Sequence, residues 1–209
     1  MADYRASVRA LKRIDPILAR LIETVGPCRL ETREEGTHFH ALARSIVFQR
    51  LSGKAAGTIF GRFVALYEDA SPTPQDVLAS DDAQLRGVGL SRQKVTYLRD
   101  LAGKVAGSAL PLDSIHEMSD DAVIEHLVQV KGIGRWTAQM FLMFRLGRTD
   151  VLPELDLGIQ TAIQRAYRMR KRPTPKQVRR VGAKWSPHST VACWYLWRSL
   201  DNGGGQLGK

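Results

Sequence analysis

Two carboxylates, Glu154 and Asp156, stand two residues apart just before a segment with helical periodicity. A carboxylate held in such a place can act as a general base or stabilise positive charge that develops on a substrate. An aspartate before a helix is most often an N-cap, which accepts hydrogen bonds from the first backbone N–H groups. The residues alone favour an N-cap role for Asp156, and they do not decide which of the two carboxylates would be catalytic.

Two glycines, Gly132 and Gly134, interrupt a helical pattern within QVKGIGRWTAQMF. Glycine permits positive φ and lets a phosphate approach bare backbone, and the following helix begins with unpaired N–H groups at its positive end. The stretch lacks the third glycine of a dinucleotide fingerprint and the Gly-Lys-Ser/Thr of a P-loop. It predicts an anion seat, although the glycines by themselves favour a plain turn between two helices.

Most of the chain has helical period, and alternating strand-like runs are hardly visible. Apolar residues recur at i, i+3, i+4 and i+7 in three segments: Phe60, Phe63, Val64 and Tyr67; Leu98, Leu101, Ala102 and Val105; Ile159, Ala162, Ile163 and Ala166. Short turn-like breaks separate these segments, and Ser91 is placed as an N-cap. The sequence therefore predicts an all-α protein.

The helix near residues 15–22 and the helices from Trp185 onward have no local partners, so we expect them to pack together. The 209 residues then form one all-α unit of two lobes. Lobe A comprises about residues 1–40 and 157–200, and lobe B about 41–156, including the hairpin at 127–137. Residues 201–209 are predicted to be a loose tail.

The positive charge is concentrated in one segment. The chain has 31 Lys and Arg against 21 Asp and Glu, for a net charge of +10. Residues 157–200 contain no acidic residue but ten basic ones, so the rest of the chain is neutral. The ten basic residues are Arg165, Arg168, Arg170, Lys171, Arg172, Lys176, Arg179, Arg180, Lys184 and Arg198. Such a block could bind a polyanion, most commonly nucleic acid, or it could form a charged surface that keeps the protein soluble. Charge alone does not distinguish these two interpretations.

Several classes of protein are excluded or disfavoured by composition. Two cysteines cannot form a disulfide framework, a four-thiolate cluster or a paired zinc motif. The five histidines show no ligand spacing. No apolar run has the length of a membrane span, and the N-terminus lacks a signal-peptide core. We expect a soluble intracellular protein without a membrane partner.

Gly-Ile-Gly-Arg-Trp-Thr-Ala, followed by Asp150–Leu157, resembles the signature of helix-hairpin-helix DNA glycosylases, most closely the 3-methyladenine DNA glycosylase II family. Three further stretches are similar to that family: residues 15–30, 45–63 and 185–197. The resemblance covers the chain from Asp15 to about Asp201. It implies a two-lobed all-α fold with the active site in the cleft between the lobes.

The resemblance also implies roles for residues near that site. Asp156 matches the catalytic aspartate. Trp136 stands where glycosylase-lyases carry a nucleophilic lysine, which implies hydrolysis without strand cleavage. Trp136 and Trp194 are the candidates for a pocket that holds a cationic base, with Tyr195 less favoured. Filling of the core is an equal alternative for Trp136, and burial in the last helix is favoured for Tyr195 and Trp197.

Further residues are implied to bind DNA. Gln49 and Arg50 match the wedge that fills the gap left by a flipped nucleotide. The predicted phosphate contacts are Lys131, Gly132, Gly134 and Thr137. The carbonyls of Val128, Val130 and Ile133 could hold a structural Na⁺ or K⁺, and catalysis is expected to need no cofactor. Leu155 and Ser189 depart from the family pattern, which places an acid and an arginine there.

The sequence thus predicts a monomeric, monofunctional DNA glycosylase that flips alkylated purines such as 3-methyladenine and 7-methylguanine out of double-stranded DNA. Hydrolysis of the N-glycosidic bond would leave an abasic site for base excision repair, in a bacterial cytoplasm or a eukaryotic nucleus. Two alternatives stay open: a glycosylase-lyase for oxidised bases, and a helix-hairpin-helix module that binds DNA without catalysis.

Overall fold

The computed structural model describes residues 4–33 and 35–201, and only the backbone of residue 69. Over this part of the chain it contains α-helices, three short 3-10 helices and no strand, which confirms the all-α prediction. The α-helices are α1 (Arg5–Ile14), α2 (Pro16–Val25), α3 (His38–Phe48), α4 (Gly53–Val64), α5 (Pro74–Ala79), α6 (Asp82–Gly87), α7 (Arg92–Ala106), α8 (Asp120–Leu127), α9 (Arg135–Phe144), α10 (Leu157–Ala166), α11 (Pro175–Gly182) and α12 (Ser189–Asp201). The predicted loose tail lies outside the described residues except for Asp201, which ends α12.

Most helices begin at a residue whose side chain satisfies their first N–H groups. The capping side chains are those of Asp15, Thr37, Ser52, Thr73, Asp81, Ser91, Ser119, Asp156 and Thr174. The predicted cap of Ser91 is confirmed. Short side-chain oxygens thus set where the helices start, which is information local to the sequence.

The apolar period read from the sequence marks the faces that are buried. Phe63 in α4, Leu98 and Leu101 in α7, and Ile159 and Ile163 in α10 are all fully buried. Burying one such side chain contributes about 1.5–3 kcal/mol. Among the described residues, no helix combines the length and apolar character that crossing a bilayer requires.

The chain divides into two compact units: a terminal unit, residues 1–33 and 142–209, and a middle unit, residues 34–141. Residues 142–156 therefore belong with the chain ends, whereas the sequence analysis assigned them to lobe B. Hydrogen bonds explain this assignment. The N–H of Val151 donates to Thr190 Oγ1 at 3.0 Å, and that hydroxyl donates to the carbonyl of Arg148 at 2.7 Å, which ties this segment to α12.

In the terminal unit, α2 and α10 pack against α12, and α1 packs against α2. Asp15 is completely buried there. Its Oδ2 accepts hydrogen bonds from Tyr167 and from Trp185 Nε1 at 2.9 Å, and it lies 3.1 Å from Lys184 Nζ. Burial raises the pKa of Asp15, but the hydrogen bonds from Tyr167 and Trp185 outweigh it and hold the pKa below its ordinary value.

In the middle unit, α3 packs against α4 and α7, and α5 packs against α7. An aromatic cluster of Phe48, Phe60, Phe63 and Tyr67 runs along α4 with ring centroids 5.5 to 6.3 Å apart. This packing joins the end of α3 to the second half of α4.

Candidate active site and nucleic-acid interface

The glycine turn lies between α8 and α9 in the middle unit. Gly132 has φ +83°, and a Cβ built on it would lie 2.2 Å from Cδ2 of Tyr97. Both facts disfavour any other residue, because L side chains avoid this φ and the ring of Tyr97 fills the space. Gly132 is therefore required by the fold of the turn.

Gly134 has a different surrounding. A Cβ built on it would meet no atom within 4 Å, and its carbonyl accepts a hydrogen bond from Ala138 N at 3.1 Å, as the first carbonyl of α9. The residue lies exposed at the positive end of this helix. Of the two glycines, Gly134 is the one that leaves room for an anion.

Two neighbours hold the turn in place. The N–H of Lys131 donates to Asp100 Oδ2 at 2.8 Å, and Lys104 Nζ binds the same carboxylate at 2.9 Å. Burial raises the pKa of Asp100, but the hydrogen bonds from Lys131 and Lys104 outweigh it, so the pKa lies below its ordinary value. The backbone N–H of Lys131 thus serves the fold, and only its exposed side chain is placed to meet a phosphate.

Gln49, predicted as part of the wedge, is hydrogen-bonded to the glycine turn. Its Nε2 donates to the carbonyl of Gly132 at 2.8 Å. The next residue, Arg50, is exposed and has a left-handed φ of 57°, which is uncommon outside glycine. Leu51 beside it is 39% exposed, an apolar side chain in solvent that sequence reasoning missed.

A cavity of about 420 Å³ lies between these elements, lined by Gln49, Arg50, Tyr97 and Gly132 among others. The structure thus brings three predicted DNA-binding residues to one place within the middle unit. Thr137, a fourth, is 9% exposed in the first turn of α9, so its side chain is nearly covered.

Trp136 is the second residue of α9 and is 44% exposed. The alternative that it fills the core is therefore wrong. An indole at this exposure, next to the exposed Gly134, presents a large aromatic surface to solvent, which is what a base-stacking role requires.

The carbonyls predicted to hold a monovalent ion belong to the same turn. Val130 and Ile133 have buried side chains, and the carbonyl of Val130 already accepts from Ile133 N at 3.0 Å. A carbonyl oxygen has a second lone pair, and neutral oxygens suit hard cations. The residues are chemically compatible with such an ion. Within the described residues, no group of three or more His, Cys, Asp or Glu side chains could hold a metal.

Asp156 caps α10 in the terminal unit. Its Oδ1 accepts hydrogen bonds from Ile159 N at 2.7 Å and from Trp197 Nε1 at 2.9 Å. Two donors on one oxygen fix the position and plane of the carboxylate. The N-cap predicted from the sequence is thus present, and the carboxylate remains partly exposed.

Gly158 makes this arrangement possible. A Cβ built on it would lie 3.0 Å from Asp156 Oδ1 and 3.1 Å from Trp197 Cδ1. Sequence reasoning missed both Gly158 and Trp197. A glycine two residues after an N-cap aspartate was the available signal, because glycine inside a first helical turn lowers stability unless space demands it.

The aromatic residue beside the carboxylate is Trp197, and the prediction of Trp194 for the pocket needs correction. Trp194 is 7% exposed, and its ring packs edge-on against Tyr195 with centroids 4.9 Å apart. It is a core residue, as is Tyr195. Trp197 is half-buried and also contacts Phe144 at a centroid distance of 5.9 Å.

Glu154, the competing carboxylate, is committed to the fold. It is 6% exposed, and its Oε1 lies 3.0 Å from Nη1 of Arg179 in α11. Its carbonyl accepts from Gln160 Nε2 at 3.0 Å. Leu155 and Leu157, which flank Asp156, are 47% and 63% exposed and surround it with apolar surface.

Ser189, where the family often has an arginine, is buried and hydrogen-bonds to the exposed Asp150. Its Oγ donates to Asp150 Oδ1 at 2.5 Å, and Ser186 Oγ donates to Oδ2 at 2.5 Å. Burial raises the pKa of Asp150, but these hydrogen bonds outweigh it and lower the pKa below its ordinary value. Ser189 is 4% exposed and serves to anchor the start of α12.

Residues 43–188 match the model of the HhH-GPD superfamily of base excision DNA repair proteins. The chain is 34% identical to DNA-3-methyladenine glycosylase 1 of Schizosaccharomyces pombe over 90% of its own length and 84% of that protein. The chain belongs to the 3-methyladenine DNA glycosylase family of this superfamily. An alkylbase DNA glycosidase-like protein of the same yeast is 30% identical, with 94% of each chain covered.

Solved structures of this family are similar throughout the chain. The S. pombe 3-methyladenine DNA glycosylase in complex with abasic DNA has a TM-score of 0.81 and 32% identity, covering 94% of this chain and 97% of that one. A Bacillus halodurans DNA-3-methyladenine glycosidase has a TM-score of 0.83 and 36% identity, covering 92% and 88%. These values agree with the helix-hairpin-helix glycosylase fold.

Proposed function

We propose that this family member is a monofunctional DNA glycosylase that excises alkylated, cationic purines such as 3-methyladenine and 7-methylguanine from double-stranded DNA. The observation that carries the proposal is the carboxylate of Asp156, which two donors hold in a fixed plane amid the exposed Leu155 and Leu157. The product is an abasic site, the substrate of the next step in base excision repair.

The chemistry requires little beyond that carboxylate. Methylation at a ring nitrogen makes the base cationic, so it leaves as a neutral molecule when it takes the electron pair of the C1′–N bond. The sugar then carries oxocarbenium-like positive charge, which Asp156 stabilises. A water forms the new C1′–O bond and passes its proton to the carboxylate or to solvent.

The hydrogen bonds to Asp156 hold its carboxylate in one orientation before the substrate binds. Ile159 N and Trp197 Nε1 bind the same oxygen, so the carboxylate resists rotation about χ2. A charge fixed before the transition state stabilises it without a reorganisation cost.

Trp136 supports the absence of lyase activity. A glycosylase-lyase attacks the sugar with an amine, and an indole cannot form a Schiff base. The exposed indole can instead stack on the cationic base, which aromatic faces attract. This combination favours positively charged bases over neutral oxidised ones.

DNA is proposed to be held by the turns of the middle unit. A phosphate is expected to bind at Gly134, where no atom would meet an added Cβ, with the Lys131 ammonium nearby. Arg50, and Leu51 beside it, would enter the space that the flipped nucleotide leaves, while Gln49 holds the turn through its hydrogen bond to Gly132.

A Na⁺ or K⁺ on the carbonyls of Val128, Val130 and Ile133 would only stabilise the turn. The protein is expected to act as a monomer.

The test is base release from methylated duplex DNA by the wild type and by Asp156→Asn, with strand breaks scored before and after hot alkali. We expect release by the wild type only, and breaks only after alkali. Breaks without alkali, or a complex trapped by borohydride, would indicate a glycosylase-lyase. Binding without release of any alkylated base would indicate a module that only binds DNA.

A further inference from the structure

The basic segment, defined as residues 165–180, exposes a block of uncompensated positive charge. Of the ten basic residues between 157 and 200, three pair with carboxylates: Arg179 with Glu154, Lys184 with Asp15 and Arg198 with Asp201. The other seven are exposed and make no ion pair with any described carboxylate: Arg165, Arg168, Arg170, Lys171, Arg172, Lys176 and Arg180. All seven lie within the basic segment.

The position of Lys176 in α11 is unfavourable for a positive charge. Lys176 lies in the first turn of α11, at the positive end of the helix dipole, and that turn contains no acidic residue. Arg180 lies one turn further along, so two like charges face each other at i and i+4. Both arrangements lower helix stability. A bound polyanion would relieve this repulsion.

The segment is anchored at both of its ends. Tyr167, next to the C-terminus of α10, donates to Asp15 Oδ2, and Trp185, just after α11, donates to the same oxygen at 2.9 Å. Arg179 is fixed to Glu154 at 3.0 Å. A loop held in this way presents its cations in a defined array, so less conformational entropy is lost when they bind.

We infer that the basic segment is a second DNA-binding surface, which contacts phosphates of the duplex without regard to the lesion. The inference rests on the proposed function, because that function makes duplex DNA the polyanion the protein must meet. Phosphate contacts of this kind supply nonspecific affinity and let a repair protein remain on undamaged DNA while it searches. They carry no sequence information.

The experiment compares two triple variants that lose the same charge. The test variant is Arg170→Gln, Lys171→Gln and Arg172→Gln, and the matched control is Arg9→Gln, Arg13→Gln and Arg20→Gln, three exposed cations on α1 and α2. Fluorescence anisotropy gives the affinity for a long undamaged duplex at several salt concentrations. Each phosphate contact changes the slope of log K against log salt by about 0.9, so the test variant should reduce its magnitude by about 2 to 3.

The control should keep nearly the wild-type slope, and release of methylated bases at saturating enzyme should be unchanged in the test variant. Equal slopes for the test and control variants on the undamaged duplex would overturn the inference. If the test variant melts early, Lys176→Gln with Arg180→Gln on α11 replaces it. Absence of base release by the wild type would refute the proposed function alone, because the slope is measured on undamaged DNA.

Discussion

Trp197 Nε1 donates a hydrogen bond of 2.9 Å to Asp156 Oδ1 across 41 residues of sequence. The bond joins the start of α10 to the last turns of α12, and Gly158 leaves the space in which the indole and the carboxylate meet. The position of the proposed catalytic carboxylate is therefore set jointly by a local cap and by a distant helix.

Replacing Asp156 should separate charge from capping. Asp156→Asn keeps an oxygen that can accept from Ile159 N and Trp197 Nε1, so stability should change little, while base release should fall by about 10²- to 10⁴-fold. Asp156→Ala loses the cap as well and should also lower the free energy of unfolding by about 1 kcal/mol. Single-turnover release and urea denaturation measure the two effects. An active, stable Asn variant would contradict the assignment.

Trp197 and Trp194 on α12 should respond differently to the same change. Trp197→Phe removes the donor to Asp156 and should slow base release about tenfold, since a hydrogen bond to a charged group is worth roughly 1.5–3 kcal/mol. Trp194→Phe leaves the carboxylate untouched and should affect only thermal stability. If Trp194→Phe slows base release more than Trp197→Phe does, Trp194 belongs to the base pocket, as the sequence predicts.

The two glycines of the turn should also differ. Gly132→Ala should lower the free energy of unfolding by about 2–4 kcal/mol, because it combines a positive φ with a clash against Tyr97. Gly134→Ala should leave stability within about 0.5 kcal/mol of wild type but weaken duplex binding about tenfold, through the methyl group that it adds where a phosphate approaches. If a folded Gly134→Ala variant binds duplex DNA as tightly as wild type, no phosphate binds at Gly134.

Asp15 should make folding sensitive to acid. Its folded-state pKa lies below the ordinary value of 3.8, so the folded state binds fewer protons than the unfolded state in this range. Its contribution is thus complete above about pH 4 and is lost as the pH falls through the lowered pKa. Asp15→Asn should lower the free energy of unfolding by about 3 kcal/mol at neutral pH, since Tyr167 and Trp185 lose the charged acceptor of their hydrogen bonds.

The measurement is urea denaturation of wild type and Asp15→Asn at neutral pH and at about pH 3. The difference in unfolding free energy between the two proteins should shrink in acid. A difference that stays constant with pH would show that the Asp15 carboxylate does not titrate as inferred. Glu35→Gln, outside this buried network, is a suitable control for the loss of one acidic charge.

The sequence by itself determined the helices, their buried faces and the candidate carboxylate. Helical period and capping side chains act over three or four residues, so the caps of α7 and α10 and the buried stripes of α4, α7 and α10 are legible locally. The glycine pair and the residues around Asp156 also carried the family resemblance. These signals need no knowledge of what packs against them.

Only the tertiary structure decided which residues share a place. It assigned Glu154 to Arg179, exchanged Trp194 for Trp197 beside Asp156, and placed the Tyr97 ring against Gly132. Glu154 and Arg179 are 25 positions apart in the sequence, and Asp156 and Trp197 are 41 apart. Tyr97 lies in α7, whereas Gly132 lies in the turn before α9. Such pairings depend on how helices pack, and a periodic pattern states only which face is buried and not which residue of another helix it meets.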